Sequence, residues 1–109
     1  MKGIPMIRNA FTMKLKKGFE DEYKKRHDEI YPELIEELRK AGVSDYSIYL
    51  DTDTSTLFAF QKLSDINTAD DLPHSQIVKK WWNYMADIME TNQDNSPVCI
   101  TLREVFHMD

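Results

Sequence analysis

From Met6 to Leu15 (MIRNAFTMKL), hydrophobic and polar residues alternate. Ile7, Phe11, Met13 and Leu15 fall on one side, and Arg8, Ala10, Thr12 and Lys14 on the other. Asn9 interrupts the apolar set, but a period of two still predicts a strand. Over Gly18 to Gly42 (GFEDEYKKRHDEIYPELIEELRKAG) the period changes. Phe19, Tyr23, His27, Ile30, Leu34 and Leu38 recur at three- and four-residue steps and form one helical stripe. That stripe faces a core, so it carries a tyrosine and a histidine inward. Glu20–Lys24, Asp21–Lys25 and Glu22–Arg26 set acid four residues before base and are expected on the exposed face. Pro32 offers no N–H to the carbonyl of Asp28 and biases Tyr31 away from helical dihedrals. A break is expected near Ile30–Tyr31, with a new helical start at Pro32. Gly42, after Arg39–Lys40, supplies a C-terminal cap. His27 then lies close to a helix end, where backbone carbonyls without helical partners can orient its ring.

Val43 to Leu50 (VSDYSIYL) predicts a second strand, with Tyr46, Ile48 and Leu50 on one face and Tyr49 on the other. The polar stretch 51–55 is a turn, and Leu57 to Leu63 (LFAFQKL) is the return strand of a hairpin. Ser64 to Leu72 is polar, a short helix or loop ended by Pro73. From Ser75 to Met89 the residues Ile77, Val78, Trp81, Trp82, Met85, Ile88 and Met89 form a broad helical stripe. Glu90 to Pro97 is a loop, and Val98 to His107 is expected to close the fold as a strand. The order β-α-β-β-α-β predicts an α+β, ferredoxin-like domain: an antiparallel sheet with its helices on one face. The third strand is apolar on both sides, so the uncovered sheet face suits a partner surface or a ligand pocket. A homodimer is inferred.

Composition narrows the setting. The 109 residues suit one domain, 1–109, with 1–5 as an N-terminal extension. No apolar run approaches the ~18 residues of a membrane span, and MKGIP is too short and polar for a signal peptide. Cys99 is the sole cysteine, which removes any disulfide framework or cysteine zinc cluster and leaves the cytoplasm as the default location. A net charge of −5 argues against a nucleic-acid partner and is compatible with a neutral or cationic small ligand.

Candidate chemistry rests on few side chains. His27 rides the inward stripe, whereas His74 follows a proline and His107 is near the chain end; both are expected at the surface. An inward histidine is more often a hydrogen-bonded core residue than a catalyst, so periodicity leaves both roles open. Trp81 and Trp82 lie about 100° apart around a helix, so one can line a pocket while the other packs. Tyr23, Tyr31, Tyr46 and Tyr49 carry hydroxyls that need partners if buried, a combination suited to a sugar or a planar cofactor. There is no phosphate loop, GxSxG, CxxC or HExxH. Cys99 reads as inert packing within a strand, and Glu104, between Leu102 and Phe106, is a second proton-transfer candidate.

Four segments together resemble a known family. RHDEIYPEL at 26–34, DYSIYLD at 45–51, KKWWNYMADIM at 79–89 and NQDNSPV at 92–98 are similar, in order and spacing, to the L-rhamnose mutarotases. The likeness runs from Met6 to Met108, and the combined set is specific where WW or RH alone is not. It implies a dimeric ferredoxin-like α+β fold that interconverts the α and β anomers of L-rhamnose, a monosaccharide substrate, without metal or organic cofactor. Carried over by position, His27 becomes the proton donor, and Tyr23, Tyr46, Trp81 and Trp82 become sugar-binding residues. This chain has Tyr31 where the family often has tryptophan. On the residues alone two other readings stay open. One is a cofactor-independent or haem-degrading monooxygenase of the dimeric ferredoxin-like type; the other is a non-catalytic dimeric binding module.

Overall fold

The longest pairing in the molecule joins β1 (Met6–Lys14) to β3 (Thr56–Ser64), antiparallel and in register from Met6 opposite Ser64 to Lys14 opposite Thr56. In this computed structural model, which describes residues 6–109, β2 (Val43–Asp51) flanks β3 and β4 (Ile100–Thr101) flanks β1. The sheet order is β2-β3-β1-β4, as expected for the ferredoxin-like arrangement. The expected extension, residues 1–5, lies outside the described residues.

Between β1 and β2 the helix breaks where proline requires it. α1 spans Glu20–Asp28 and α2 spans Pro32–Lys40, with Tyr31 extended at φ −61°, ψ 126° ahead of Pro32. α3 (Gln76–Met85) continues into a 3₁₀ turn, Ala86–Ile88. Pro73 sits inside a preceding 3₁₀ turn, Ala69–His74, rather than ending a helix before it. One core results. Met13, Leu15, Leu57 and Ala59 from the sheet meet Tyr23, Leu34, Val78, Trp81 and Met85 from the helices, with Ile88 and Met89. Full burial of an aliphatic side chain such as Leu57 contributes about 1.5–3 kcal/mol.

Three details depart from the sequence expectations. First, β2 carries a bulge in which Asp45 (φ +48°) and Tyr46 together oppose Gln61. The extra residue shifts the alternation by one, so Val43 and then Tyr46, Ile48 and Leu50 all face the helices. Second, the closing strand is two residues long instead of Val98–His107. One further ladder bond follows, from the Leu102 N–H to the Ala10 carbonyl at 2.9 Å. Beyond it Val105, Phe106 and Met108 are exposed, so no apolar cover from the same chain holds this edge as a strand. Third, Arg26, assigned above to the exposed helix face, is buried.

Gly42 ends α2 at φ +91°, the left-handed conformation of a helix cap. A Cβ there would stand 2.5 Å from Ser64 Oγ and 2.9 Å from Asn67 Cβ, whereas Gly18, at φ +94°, has nothing within 4 Å. Both alanine replacements strain the backbone; only one also collides. Gly42→Ala is expected to lower unfolding free energy by about 1–3 kcal/mol, and by more than Gly18→Ala, in urea titrations of both variants.

Candidate active site

Between the helix layer and the sheet lies a hollow of about 1010 Å³, at the upper end of the roughly 300–1,000 Å³ usual for ligand sites. It therefore opens on the face the helices cover, not on the bare face. Tyr23 and His27 come from α1, Trp81 and Trp82 from α3, Phe11 from β1 and Tyr46 from β2. The structure thus brings together all five side chains singled out from the sequence. The β2 bulge is what turns Tyr46 toward the others, and its ring meets Phe11 edge-on at 6.3 Å.

His27 is held by backbone. Its Nδ1 lies 3.0 Å from the Tyr23 carbonyl oxygen. A carbonyl can only accept, so Nδ1 carries the hydrogen and the neutral ring leaves its lone pair on Nε2. The carbonyl is that of the residue one turn earlier inside α1, not one freed at the break before Pro32. The Tyr23 ring lies 4.2 Å from the imidazole at 30°, and Trp81 meets it edge-on at 5.2 Å. Burial depresses the His27 pKa below its ordinary 6.5, against the opposing pull of the Tyr23 carbonyl and of Asp28. The Asp28 carboxylate is itself paired with Lys24, at 2.9 and 3.0 Å. The ring is neutral at pH 7.

The two phenols are complementary. Burial pushes the pKa of Tyr23 and of Tyr46 upward, and the proximity of Tyr46 and Cys99 adds to the shift at Tyr23. Both therefore keep their protons and can donate. Tyr46 leaves 38% of its area exposed and lines the hollow together with Tyr23. Among the described residues neither hydroxyl has a hydrogen-bond partner, nor has His27 Nε2. Among the described residues no sealed side-chain nitrogen or oxygen of a buried or half-buried residue lacks a partner, so the Tyr23 hydroxyl and His27 Nε2 reach open space, and the side chains of Tyr23, His27 and Tyr46 all line the hollow.

The indoles divide as adjacent helical residues must: Trp81 is a buried member of the core cluster and Trp82 is half-buried against it. Tyr31 stands behind Trp81, edge-on at 5.2 Å and stacked on Tyr84 at 6.2 Å, and does not line the hollow. Glu104 is excluded as a proton-transfer group of this site: it is exposed, paired with Arg8 at 2.6 Å, and outside the hollow. His74 and His107 lie outside it too. Cys99 precedes β4 instead of sitting within a strand and lines the hollow, with burial pushing its thiol pKa up.

One wall was missed. The loop after the last 3₁₀ turn contributes Thr91, Asp94, Asn95, Ser96 and Pro97. Asp94 accepts from the Ser96 backbone N–H and hydroxyl, and Asn95, at φ +68°, donates to Asn83 Oδ1 at 3.0 Å. Its run of Asn, Asp, Ser and Pro reads as a turn, and only the NQDNSPV likeness singles it out. Among the described residues no cluster of three His, Cys, Asp or Glu is placed to hold a metal ion, and no helix is long and apolar enough to cross a membrane.

Known proteins resemble this chain in sequence and in fold. The chain is 62% identical over 104 residues to the L-rhamnose mutarotase of Bacteroides thetaiotaomicron, covering 95% of this chain and 100% of the relative. It is 57% identical over 104 residues to that of Formosa agariphila, with the same coverage. The crystal structure of L-rhamnose mutarotase from Formosa agariphila superposes with a TM-score of 0.89 at 56% identity, over 94% of this chain and 99% of that one. A monooxygenase of antibiotic biosynthesis from Caulobacter crescentus, described as putative, shares only the fold: TM-score 0.57 at 18% identity, over 94% and 92% of the two chains. The family model described as L-rhamnose mutarotase matches residues 8–108, and the chain belongs to the L-rhamnose mutarotase family.

Proposed function

We propose that this protein interconverts the α and β pyranose anomers of L-rhamnose by ring opening and closure, with His27 moving the protons. One observation carries the reading of the site: a neutral imidazole, fixed through Nδ1, presents a free Nε2 beside two unpartnered phenols in an aromatic hollow. A pyranose matches such walls, with C–H faces against Trp81 and Trp82 and hydroxyls toward Tyr23 and Tyr46.

The chemistry follows from the tautomer. The resting Nε2 accepts the proton of the anomeric hydroxyl. Electrons on that oxygen form the aldehyde as the C1–O5 bond breaks, and the imidazolium returns the same proton to O5. The ring nitrogen is thus acceptor first and donor second, which includes the donor role the family resemblance implies. A phenol hydroxyl from Tyr23 or Tyr46, kept protonated by burial, stabilises charge developing on oxygen. Rotation about C1–C2 then presents the other carbonyl face, and closure reverses both transfers. Atoms and electrons balance without a co-reactant. General acid–base catalysis contributes about 10²–10⁴-fold, or roughly 3–5 kcal/mol, a useful share for a hemiacetal that already opens slowly in water.

We also infer a homodimer through the bare sheet face. Cross-strand pairing sets Ile100, Thr12, Phe58 and Tyr49 in one row there, beside Phe60. Ile100 is 64% exposed and Tyr49 65%. This uncharged row suits a two-fold contact with its own copy, while a net charge of −5 elsewhere disfavours wider association.

Three outcomes are expected. His27→Ala should reduce anomer exchange of L-rhamnose about 100-fold or more, read by saturation transfer between the two anomeric protons; an unchanged rate in the folded variant excludes the imidazole. Exchange should need neutral His27, so in wild-type protein the rate should fall on the acid side with a midpoint below 6.5. A midpoint above that value contradicts the assignment. Phe60→Asp should sediment as a monomer at micromolar concentration where the wild type is a dimer, and an identical species in both places the interface elsewhere.

A further inference from the structure

Beside His27 in the chain is a charged group with no part in the proton transfers above. Arg26 is 9% exposed, and its guanidinium makes four hydrogen bonds to three partners. Nε donates to Glu22 Oε2 at 2.7 Å. One terminal nitrogen donates to the Tyr84 carbonyl at 2.7 Å and to Asp87 Oδ1 at 2.8 Å, and the other to Asp87 Oδ2 at 3.2 Å. The guanidinium also lies 4.5 Å from the centre of the Tyr84 ring. None of these groups lines the hollow.

The location gives the cluster its meaning. α1 is nine residues long, has no side-chain cap at its start, and buries only Tyr23 and Arg26. Tyr84 and Asp87 belong to the other side of the site, at the end of α3 and in the 3₁₀ turn that follows. Arg26 therefore ties the last turn of α1, which carries His27, to the last turn of α3, which carries Trp81 one turn earlier. A second path runs in parallel: Arg26 over Tyr84, Tyr84 edge-on to Trp81 at 5.8 Å, and Trp81 edge-on to His27 at 5.2 Å.

We propose that Arg26 is a positioning residue, whose forked ties to Asp87 and the Tyr84 carbonyl hold the His27 imidazole against the Trp81 edge with its Nε2 toward the bound sugar. This rests on the reading of His27 given above. The demand is geometric rather than electrostatic. A lysine keeps the charge, but its single ammonium cannot meet Glu22, Asp87 and the Tyr84 carbonyl in one plane. A shift of about 1 Å between reacting groups can cost on the order of 10²-fold in rate.

The test uses Arg26→Lys, Asp87→Asn and Asp87→Glu in the full chain, each checked for folding by circular dichroism. Arg26→Lys is expected to lower kcat for anomer exchange about 10-fold or more, with KM within about twofold, because the hollow itself is unaltered. Asp87→Asn, at a side chain 66% exposed and so compatible with folding, should lower kcat in the same direction by less, and Asp87→Glu should restore most of it. Proton NMR of the imidazole reads the same event without turnover: the ring-current shift that the Trp81 indole imposes on the His27 carbon-bound ring protons should weaken in Arg26→Lys and Asp87→Asn, while the Nδ1–H tautomer, fixed within α1, persists. Wild-type kcat and unchanged imidazole proton shifts in the folded variants would overturn the proposal, as would a loss confined to KM. If Arg26→Lys does not fold, Asp87→Asn and Asp87→Glu decide alone. If the wild type itself shows no exchange, the reaction assignment fails, and the ring-current signal still judges Arg26.

Discussion

The hydrogen bond from His27 Nδ1 to the Tyr23 carbonyl, one helical turn back, is the constraint on which the site depends. In isolation such a bond contributes only about 1 kcal/mol to stability. Its value here lies in choosing one of two tautomers and one ring orientation for a group otherwise free to take either. Burial then completes the selection. Removing the imidazole from water disfavours its cationic form, and this outweighs the carbonyl and the shared charge of Asp28, both of which favour it. A ring at once neutral, oriented and open at Nε2 needs both the bond and the burial.

The hollow arises from a mismatch between the layers. In one region, around Leu57 and Ala59 of the sheet, the aliphatic core is sealed. Toward β2 and the loop 91–97, the aromatics of α1, α3 and β2 stand around open space instead of interleaving. The β2 bulge is necessary to this arrangement. Without its extra residue, Tyr46 would follow Val43 in regular alternation and point to the opposite sheet face.

Much of this was legible in the sequence, and what was not has identifiable causes. Period two and period 3.6 placed β1, β2, β3 and the helices, and Pro32 marked the break because its missing N–H acts locally. His27 and Tyr23 were legible as inward by spacing alone, whereas the roles proposed for them came from the family likeness. The closing strand was not legible: Val98–His107 has a strand's composition, yet what stabilises an edge strand is cover from outside the segment. The Arg26 clamp was hidden for the same reason. Its i, i+4 acid signals an exposed pair, and nothing local announces Asp87, sixty-one positions away.

That hidden arginine bears on how a weakly amphipathic helix can hold a reactive group at all. α1 has acidic residues in its first turn and basic ones in its last, which suits the helix dipole but supplies little apolar area to press against the sheet. Apolar packing is non-directional and would let such a short helix slide or rock over the surface beneath. Forked hydrogen bonds to a carboxylate and a carbonyl resist both motions, because their strength falls steeply with distance and angle. The cost of desolvating the guanidinium is offset by four satisfied N–H contacts and by Asp87, which itself stays largely in water. The same core that seals Leu57 and Ile88 could not have aimed an imidazole; a buried polar clamp next to it in sequence can.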